Sequence, residues 1–131
     1  MDQKVFPFLM FQGRAEEAMT FYVSQFPRSH IIDIVRYGAD ESGVEGSVKK
    51  ATFSVGGQTL MCIDSVVQHA FTFTPALSLF VECGSEDELR RLFTVLSEGG
   101  GVLMPLGHYG FSRQFAWVND RYGVSWQLNL P

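Results

Sequence analysis

The sequence is poor in the features that mark several large classes of protein. It has two cysteines in 131 residues, too few for a disulfide framework, and both lie in apolar segments. Its apolar runs are shorter than the ~20 residues that a membrane-spanning helix needs. The net charge of −4 disfavours nucleic acid, whose phosphates select basic surfaces. We therefore expect neither a membrane nor a nucleic acid as a partner.

The first residues lack the pattern of a secretion signal. Met1-Asp2-Gln3-Lys4 leads directly into a strand-like stretch, without the apolar segment of a signal peptide. Cysteines that behave as small buried hydrophobic residues are usual in reducing compartments. We expect a cytoplasmic protein.

Apolar residues are abundant in this chain. They make up 46% of the sequence, while charged residues make up 18%, so the chain can bury a substantial core. A length of 131 residues is typical of one domain. We expect residues 1–131 to form a single domain.

The last predicted strand is the most informative segment. Apolar and neutral polar side chains alternate along it, in the order Val124-Ser125-Trp126-Gln127-Leu128-Asn129-Leu130. This alternation is typical of a strand that has one face on the core. Because its polar residues are uncharged hydrogen-bonding groups, the other face could line a cavity, although an ordinary exposed face gives the same pattern.

One order of elements is predicted twice. In module one, residues 4–65, the patterns indicate a strand, a helix and three strands at 5–11, 14–26, 30–37, 48–55 and 58–64. Residues 65–75 form a linker. In module two, residues 76–131, the same order is predicted at 76–83, 85–98, 102–106, 115–118 and 124–130. Ser85 is the expected N-cap of the second helix, since three acidic residues follow it.

Two βαβββ units in this length resemble the vicinal oxygen chelate superfamily, which includes glyoxalase I, extradiol dioxygenases and the bleomycin and fosfomycin resistance proteins. Four local motifs narrow the resemblance: MFQGRAEEA at 10–18, EGSV at 45–48, FTFTPALSL at 71–79 and WVNDRYGVSWQ at 117–127. They are similar to the superfamily's PhnB-like group, often labelled 3-demethylubiquinone-9 3-methyltransferase. The resemblance covers nearly the whole chain. It implies an α+β fold of two βαβββ modules with open, curled sheets and a ligand on the concave side.

The resemblance also implies where a metal would bind. Metal-dependent members take a ligand from the first and last strands of each module, which here are Pro7, Met61, Ala76 (or Ser78) and Gln127. Proline and alanine have no side-chain ligand atom, and a thioether suits hard divalent ions poorly. We therefore expect no metal ion and no cofactor.

A methyltransferase activity, as the group's label states, is disfavoured by the glycine pattern. A methyl donor such as S-adenosylmethionine usually needs a glycine-rich turn between a strand and a helix. The glycines at 99–101 follow a predicted helix, and those at 56–57 lie in a hairpin. Such runs are typical of helix ends and turns.

The expected site is a pocket with a few neutral polar side chains. Its candidate residues are Met61, Ser78, Phe80, His108, Trp117, Ser125 and Gln127. Apolar walls with a few neutral hydrogen-bonding groups suit a small, partly aromatic or amphipathic ligand. The alternative is that these residues fill the interior of a collapsed barrel. No catalytic residue is assigned.

Three functions are compatible with the fold that the resemblance implies. The leading one is a PhnB-like protein that binds a small organic molecule without a metal, either to sequester it or to act on it. The second is a metal-dependent glyoxalase or dioxygenase whose ligands have moved to His69, His108 or Asp64; the third is the methyltransferase. We expect a homodimer buried around Phe71 to Pro75, because aromatic residues in a linker are costly to leave in water.

Overall fold

Two βαβββ modules follow one another along the chain. The structure is a computed structural model that describes residues 2–131. Its elements are β1 (Phe8–Phe11), α1 (Ala15–Gln25), β2 (His30–Arg36), β3 (Val48–Val55), β4 (Gln58–Asp64), β5 (Ser78–Glu82), α2 (Glu86–Ser97), β6 (Gly101–Gly107), β7 (Gln114–Asn119) and β8 (Ser125–Leu130). The strands form two sheets, ordered β1-β4-β3-β2 and β5-β8-β7-β6. The expected α+β fold is confirmed.

The chain divides into two compact units between His69 and Ala70. This division lies within the predicted linker, residues 65–75. That residues 1–131 act as a single domain stays a prediction. Neither helix of residues 2–131 has the length and apolar character needed to cross a bilayer.

In the first unit, α1 covers one face of its sheet. Its buried residues recur at helical spacing: Ala15, Ala18, Met19 and Tyr22. They pack on β2, β3 and β4, and the Tyr22 ring stacks on Phe53 with a centroid separation of 6.4 Å. The helix ends where Phe26 becomes extended before Pro27, as expected of a residue that precedes proline.

A buried carboxylate holds the start of α1. Arg14 provides no side-chain cap. Instead, Asp64 Oδ1 accepts hydrogen bonds from the backbone N–H groups of Gly13 (2.8 Å) and Ala15 (3.0 Å), while Oδ2 accepts one from Val48 N at 3.0 Å. Asp64 thus joins the end of β4 to the starts of α1 and β3, with 3% of its surface exposed.

In the second unit, α2 begins at the predicted N-cap. Ser85 Oγ accepts a hydrogen bond from Glu88 N at 3.1 Å. The buried face of α2 consists of Leu89, Leu92 and Leu96, which pack against β7 and β8. The apolar residues of the last hairpin lie on this side and are almost fully buried: Ala116, Val118, Val124, Trp126 and Leu128. The predicted inward face of β8 is therefore confirmed.

Two predicted strands start later than expected. Val5 to Phe11 was expected to be a strand buried on both faces, but β1 starts at Phe8, and Val5 is 89% exposed. β1 is an edge strand, and only the alternate residues Leu9 and Phe11 are buried, so the expectation of two buried faces is wrong. Likewise, β5 starts at Ser78, because Ala76 lies in the turn from Thr74 to Leu77.

Both cysteines are buried thiols, as expected. The pKa of the Cys62 thiol is raised to about 12, mainly by burial and to a smaller extent by the nearby Asp64 carboxylate. Burial also raises the pKa of Cys83 to about 11, with a smaller contribution from Glu88. At neutral pH both side chains are therefore protonated and behave as small hydrophobic groups.

Replacing Asp64 should destabilise the first unit. In Asp64→Asn an amide NH₂ group replaces one carboxylate oxygen, so that two hydrogen-bond donors face each other and a buried backbone N–H loses its acceptor. We expect the free energy of unfolding to fall by about 2–3 kcal/mol. The matched control is Asp33→Asn, an exposed carboxylate in β2, which should change it by less than about 0.5 kcal/mol. Urea titration followed by circular dichroism measures both. Equal losses in the two variants would contradict this role.

Candidate functional site

The register of the second sheet places a regular set of side chains on the face opposite α2, which we call the polar face. Residues directly opposite each other on paired strands share a face. They form three rows across β5, β8, β7 and β6: Ser78, Ser125, Asn119 and Gly101; Phe80, Gln127, Trp117 and Met104; and Glu82, Asn129, Phe115 and Gly107. Four of the seven predicted pocket residues interact within the first two rows.

These four side chains form one hydrogen-bonded cluster. Ser125 Oγ lies 2.7 Å from Ser78 Oγ and accepts a hydrogen bond from Trp117 Nε1 at 2.8 Å. Gln127 Nε2 donates to Ser78 Oγ at 3.3 Å. Ser125 is 1% exposed, so its two bonds are well shielded from water. The cluster fixes the Trp117 ring and the Gln127 amide on adjacent strands.

Phe80 borders this cluster on the edge strand β5. It lies opposite Gln127 in the register, and 54% of its surface is exposed. An exposed aromatic ring beside a hydrogen-bonding amide offers both an apolar and a polar contact. The predicted placement of Phe80 on the face of Gln127 agrees with the structure.

A loop between β6 and β7, residues 108–113, covers the third row; we call it the rim loop. Phe115 is buried beneath the rings of Phe111 and Tyr109, with centroid separations of 4.9 and 6.1 Å. Ser112 Oγ donates a hydrogen bond to Asn129 Oδ1. The loop is held further by Tyr109 OH, which donates to Pro105 O at 2.5 Å.

Besides Phe80, which borders the cluster, two predicted residues lie away from it. His108 is exposed in the rim loop, where its Nδ1 lies 3.4 Å from Arg113 O. Met61 belongs to the first unit, where it is half-buried in β4 between Thr52 of β3 and Phe8 of β1. Their roles in binding stay predictions.

Sequence reasoning missed two polar residues of the second unit. Glu82 continues the alternation of Ser78 and Phe80 along β5, so the period-two rule could have identified it. Its Oε2 accepts a hydrogen bond from Asn129 Nδ2 at 3.3 Å. Ser112 carried no such signal, because its bond to Asn129 spans 17 positions in the sequence.

The residues at the superfamily's metal positions do not fit a divalent ion. Pro7 and Ala76 offer no side-chain donor atom, Met61 offers a thioether, and the Gln127 amide is bonded to Ser78. The backbone oxygen of Pro7 accepts from Met61 N at 3.0 Å. Within residues 2–131, no group of three or more His, Cys, Asp or Glu side chains is placed to hold a metal.

The fold with these two sheets is that of the glyoxalase, or vicinal oxygen chelate, superfamily. Within it, the chain belongs to the family described as 3-demethylubiquinone-9 3-methyltransferase, whose sequence model matches residues 3–129. No curated protein matches the chain in sequence. The match to the family's sequence model confirms the resemblance to the PhnB-like group.

Solved structures agree with this assignment. A PhnB protein from Bacillus cereus, described as a candidate 3-demethylubiquinone-9 3-methyltransferase, is 56% identical with a TM-score of 0.95, covering 98% of this chain and 100% of that one. Protein PA1353 from Pseudomonas aeruginosa is 28% identical with a TM-score of 0.80, covering 98% of both. The fosfomycin resistance protein FosX from Listeria monocytogenes, 10% identical with a TM-score of 0.62 over 100% of this chain and 94% of that one, shares the fold alone.

Adding a carboxylate at Gln127 should not create a metal site. In Gln127→Glu the other three positions still lack suitable donors, so we expect no saturable Mn²⁺, Ni²⁺ or Zn²⁺ binding by calorimetry. The new half-buried carboxylate should lower the free energy of unfolding by about 1–3 kcal/mol. Gln58→Glu, at an exposed position in the β3–β4 hairpin, is the control for stability. Tight metal binding by the wild type that Gln127→Ala abolishes would show that the four positions were misassigned.

Proposed function

We propose that this protein binds a small, partly aromatic or amphipathic organic molecule on the polar face of its second sheet, without a metal ion. The supporting observation is the hydrogen-bonded cluster of Ser78, Trp117, Ser125 and Gln127 beside the exposed ring of Phe80. A few fixed neutral polar groups among apolar ones are typical of small-molecule sites.

Within the cluster, the Gln127 side chain is the group best placed to meet a ligand. Its nitrogen donates to Ser78, and its carbonyl oxygen has no hydrogen bond within residues 2–131. That oxygen can accept a hydrogen bond from a hydroxyl, amide or amine of the ligand. Ser125 and Trp117 are bonded to each other, so they act mainly by holding the shape of the face.

Methyl transfer is supported only by the family's description. The glycine triplet at 99–101 lies where α2 ends, and Gly99 has a φ of +75°, which suits a helix terminus. Gly56 and Gly57 form the turn of the β3–β4 hairpin. Glycines at these positions terminate a helix or form a hairpin turn. They do not form a loop whose backbone N–H groups could bind a methyl donor. We therefore propose binding without a methyl donor, and we assign no catalytic residue.

Removing the Gln127 amide should release a bound molecule. Protein purified from a bacterial host without chelators or dialysis is examined by native mass spectrometry. We expect the wild type to carry a small organic adduct and Gln127→Leu to lose up to about fivefold in occupancy, because one hydrogen bond contributes roughly 1 kcal/mol. The matched control is Gln114→Leu, which lies opposite Leu130 on the face towards α2 and should keep the adduct.

The same preparations separate the other two functions. Stoichiometric zinc, nickel, manganese or iron in the wild type, measured by elemental analysis, would favour a metalloenzyme and end the metal-free proposal. Saturable calorimetric binding of S-adenosylmethionine would favour the methyltransferase. Adducts that persist equally in Gln127→Leu and Gln114→Leu would place the ligand elsewhere on the protein.

We also propose that the chain forms a homodimer through the linker. Phe71 is 63% exposed in a segment that continues with Phe73 and Pro75. Covering such a ring with a second copy would remove apolar surface from water. Phe71→Glu should therefore shift the mass measured by light scattering from twice that of the chain towards that of one chain. Phe111→Glu, at a phenylalanine with the same 63% exposure, is the control and should stay dimeric. A monomeric wild type at micromolar concentration would end this proposal.

A further inference from the structure

We infer that the ligand of the polar face is an organic cation whose positive charge pairs with Glu82. This inference rests on the proposed function and specifies its ligand class. Glu82 is the only charged residue in the four strands of the second sheet, whose sequences are SLFVE, GVLMPLG, QFAWVN and SWQLNL. The four strands contain no lysine, arginine or histidine, and the guanidinium of Arg113 in the rim loop donates to the backbone oxygen of Pro131 at 3.2 and 3.3 Å.

The Glu82 carboxylate is held in place by a short chain of hydrogen bonds. Asn129, which is 7% exposed, donates from Nδ2 to Glu82 Oε2 at 3.3 Å. The Oδ1 atom of the same amide accepts from Ser112 of the rim loop, which fixes the orientation of the amide. Glu82 Oε1 has no hydrogen bond within residues 2–131. One carboxylate oxygen is therefore positioned and the other is open to a ligand.

Aromatic rings lie at the same end of the face. Asn129 is opposite Phe115 in the register, and Phe115 is covered by Phe111 and Tyr109. Phe111 is 63% exposed and Tyr109 is 38% exposed, so parts of their surfaces are available. Glu82 and Phe115 lie two strands apart in one row, a separation of about 9–10 Å. A carboxylate and aromatic rings on the same face are the chemistry that recognises ammonium and guanidinium groups, through an ion pair and cation–π attraction.

The spacing of the rows sets the size of the ligand. Glu82 follows Phe80 by two positions in β5, a separation of about 6–7 Å along a strand. A ligand whose aromatic ring packs on Phe80 beside Gln127 would thus reach Glu82 with a basic nitrogen on a two- or three-atom chain. The arylalkyl ammonium class has these dimensions.

Three probes of nearly equal shape test the charge: 2-phenylethylammonium, neutral 2-phenylethanol and anionic 3-phenylpropionate. Binding is followed by ¹H–¹⁵N NMR through the Gln127 side-chain amide and the Trp117 indole N–H, which report on the polar face. We expect wild-type protein to bind the ammonium probe roughly five- to twentyfold more tightly than the neutral one, as an ion pair plus a cation–π contact would give. Added salt should reduce this preference.

The Glu82→Gln variant should lose this preference, because it keeps an oxygen for Asn129 and removes the charge. Glu98→Gln, an exposed residue just after α2, makes the same change in net charge and should keep the preference. Equal affinities for the ammonium and neutral probes, tighter binding of the anion, or a preference that survives in Glu82→Gln would each overturn the cation assignment. Neutral-probe binding at Gln127 would still support the proposed site. No binding of any probe up to about 10 mM would overturn the cation assignment and count against the site as well.

Discussion

The buried carboxylate of Asp120 fixes the hairpin on which the polar face depends. Its Oδ1 accepts hydrogen bonds from the backbone N–H groups of Tyr122 (2.8 Å) and Val124 (3.0 Å), and its Oδ2 accepts one from Trp126 Nε1 at 2.8 Å. The Trp126 bond holds that ring on the side of α2. Because side chains alternate along a strand, it also sends Ser125 and Gln127 to the opposite side. A slip of one residue would exchange the two faces. The chain turns here through Gly123, whose φ of +92° suits glycine.

The first unit uses a buried aspartate in a different place for a similar purpose. Asp64 and Asp120 both accept hydrogen bonds from N–H groups at both carboxylate oxygens, and each is almost completely buried. A carboxylate in such a setting stays favourable because N–H donors replace its lost water. Asp64 ties a helix to two strands, whereas Asp120 ties a turn to a tryptophan. In both units a buried aspartate helps to fix the local geometry, so the side chains on the other faces of the sheets need not serve that purpose.

Much of the fold follows from short-range patterns. The bounds of β3 and β4 agree with the predicted 48–55 and 58–64, because apolar alternation and the Gly56-Gly57 turn define both ends. The predicted starts of β1 and β5 were wrong. The apolar composition of each segment continues towards the N-terminus, but its pairing with β4 or β8 begins only at Phe8 or Ser78. Both are edge strands, whose ends are determined by the partner strand and not by their own composition.

The candidate site was predictable only in part, for a related reason. The alternation of β8 correctly placed Ser125 and Gln127 on one face, and the register then brought Ser78 and Trp117 to them. The contact of Ser112 with Asn129 depends on how the rim loop folds, which no local pattern encodes. His108 shows the same limit, because its position in a loop gave no direction for its side chain.

The polar face differs in charge from what a metal site would present. A divalent ion is a concentrated positive charge, and it draws oxygen atoms that carry negative charge. Of the superfamily's four metal positions, the two in the second unit are Ala76 and Gln127, both uncharged, and the one charged residue in the strands of the second sheet is Glu82. An anionic ligand would meet repulsion from that carboxylate with no cation in the strands to offset it. Under the proposed binding, the polar face would therefore favour a cation, whereas a bound metal ion favours ligands that carry negative charge.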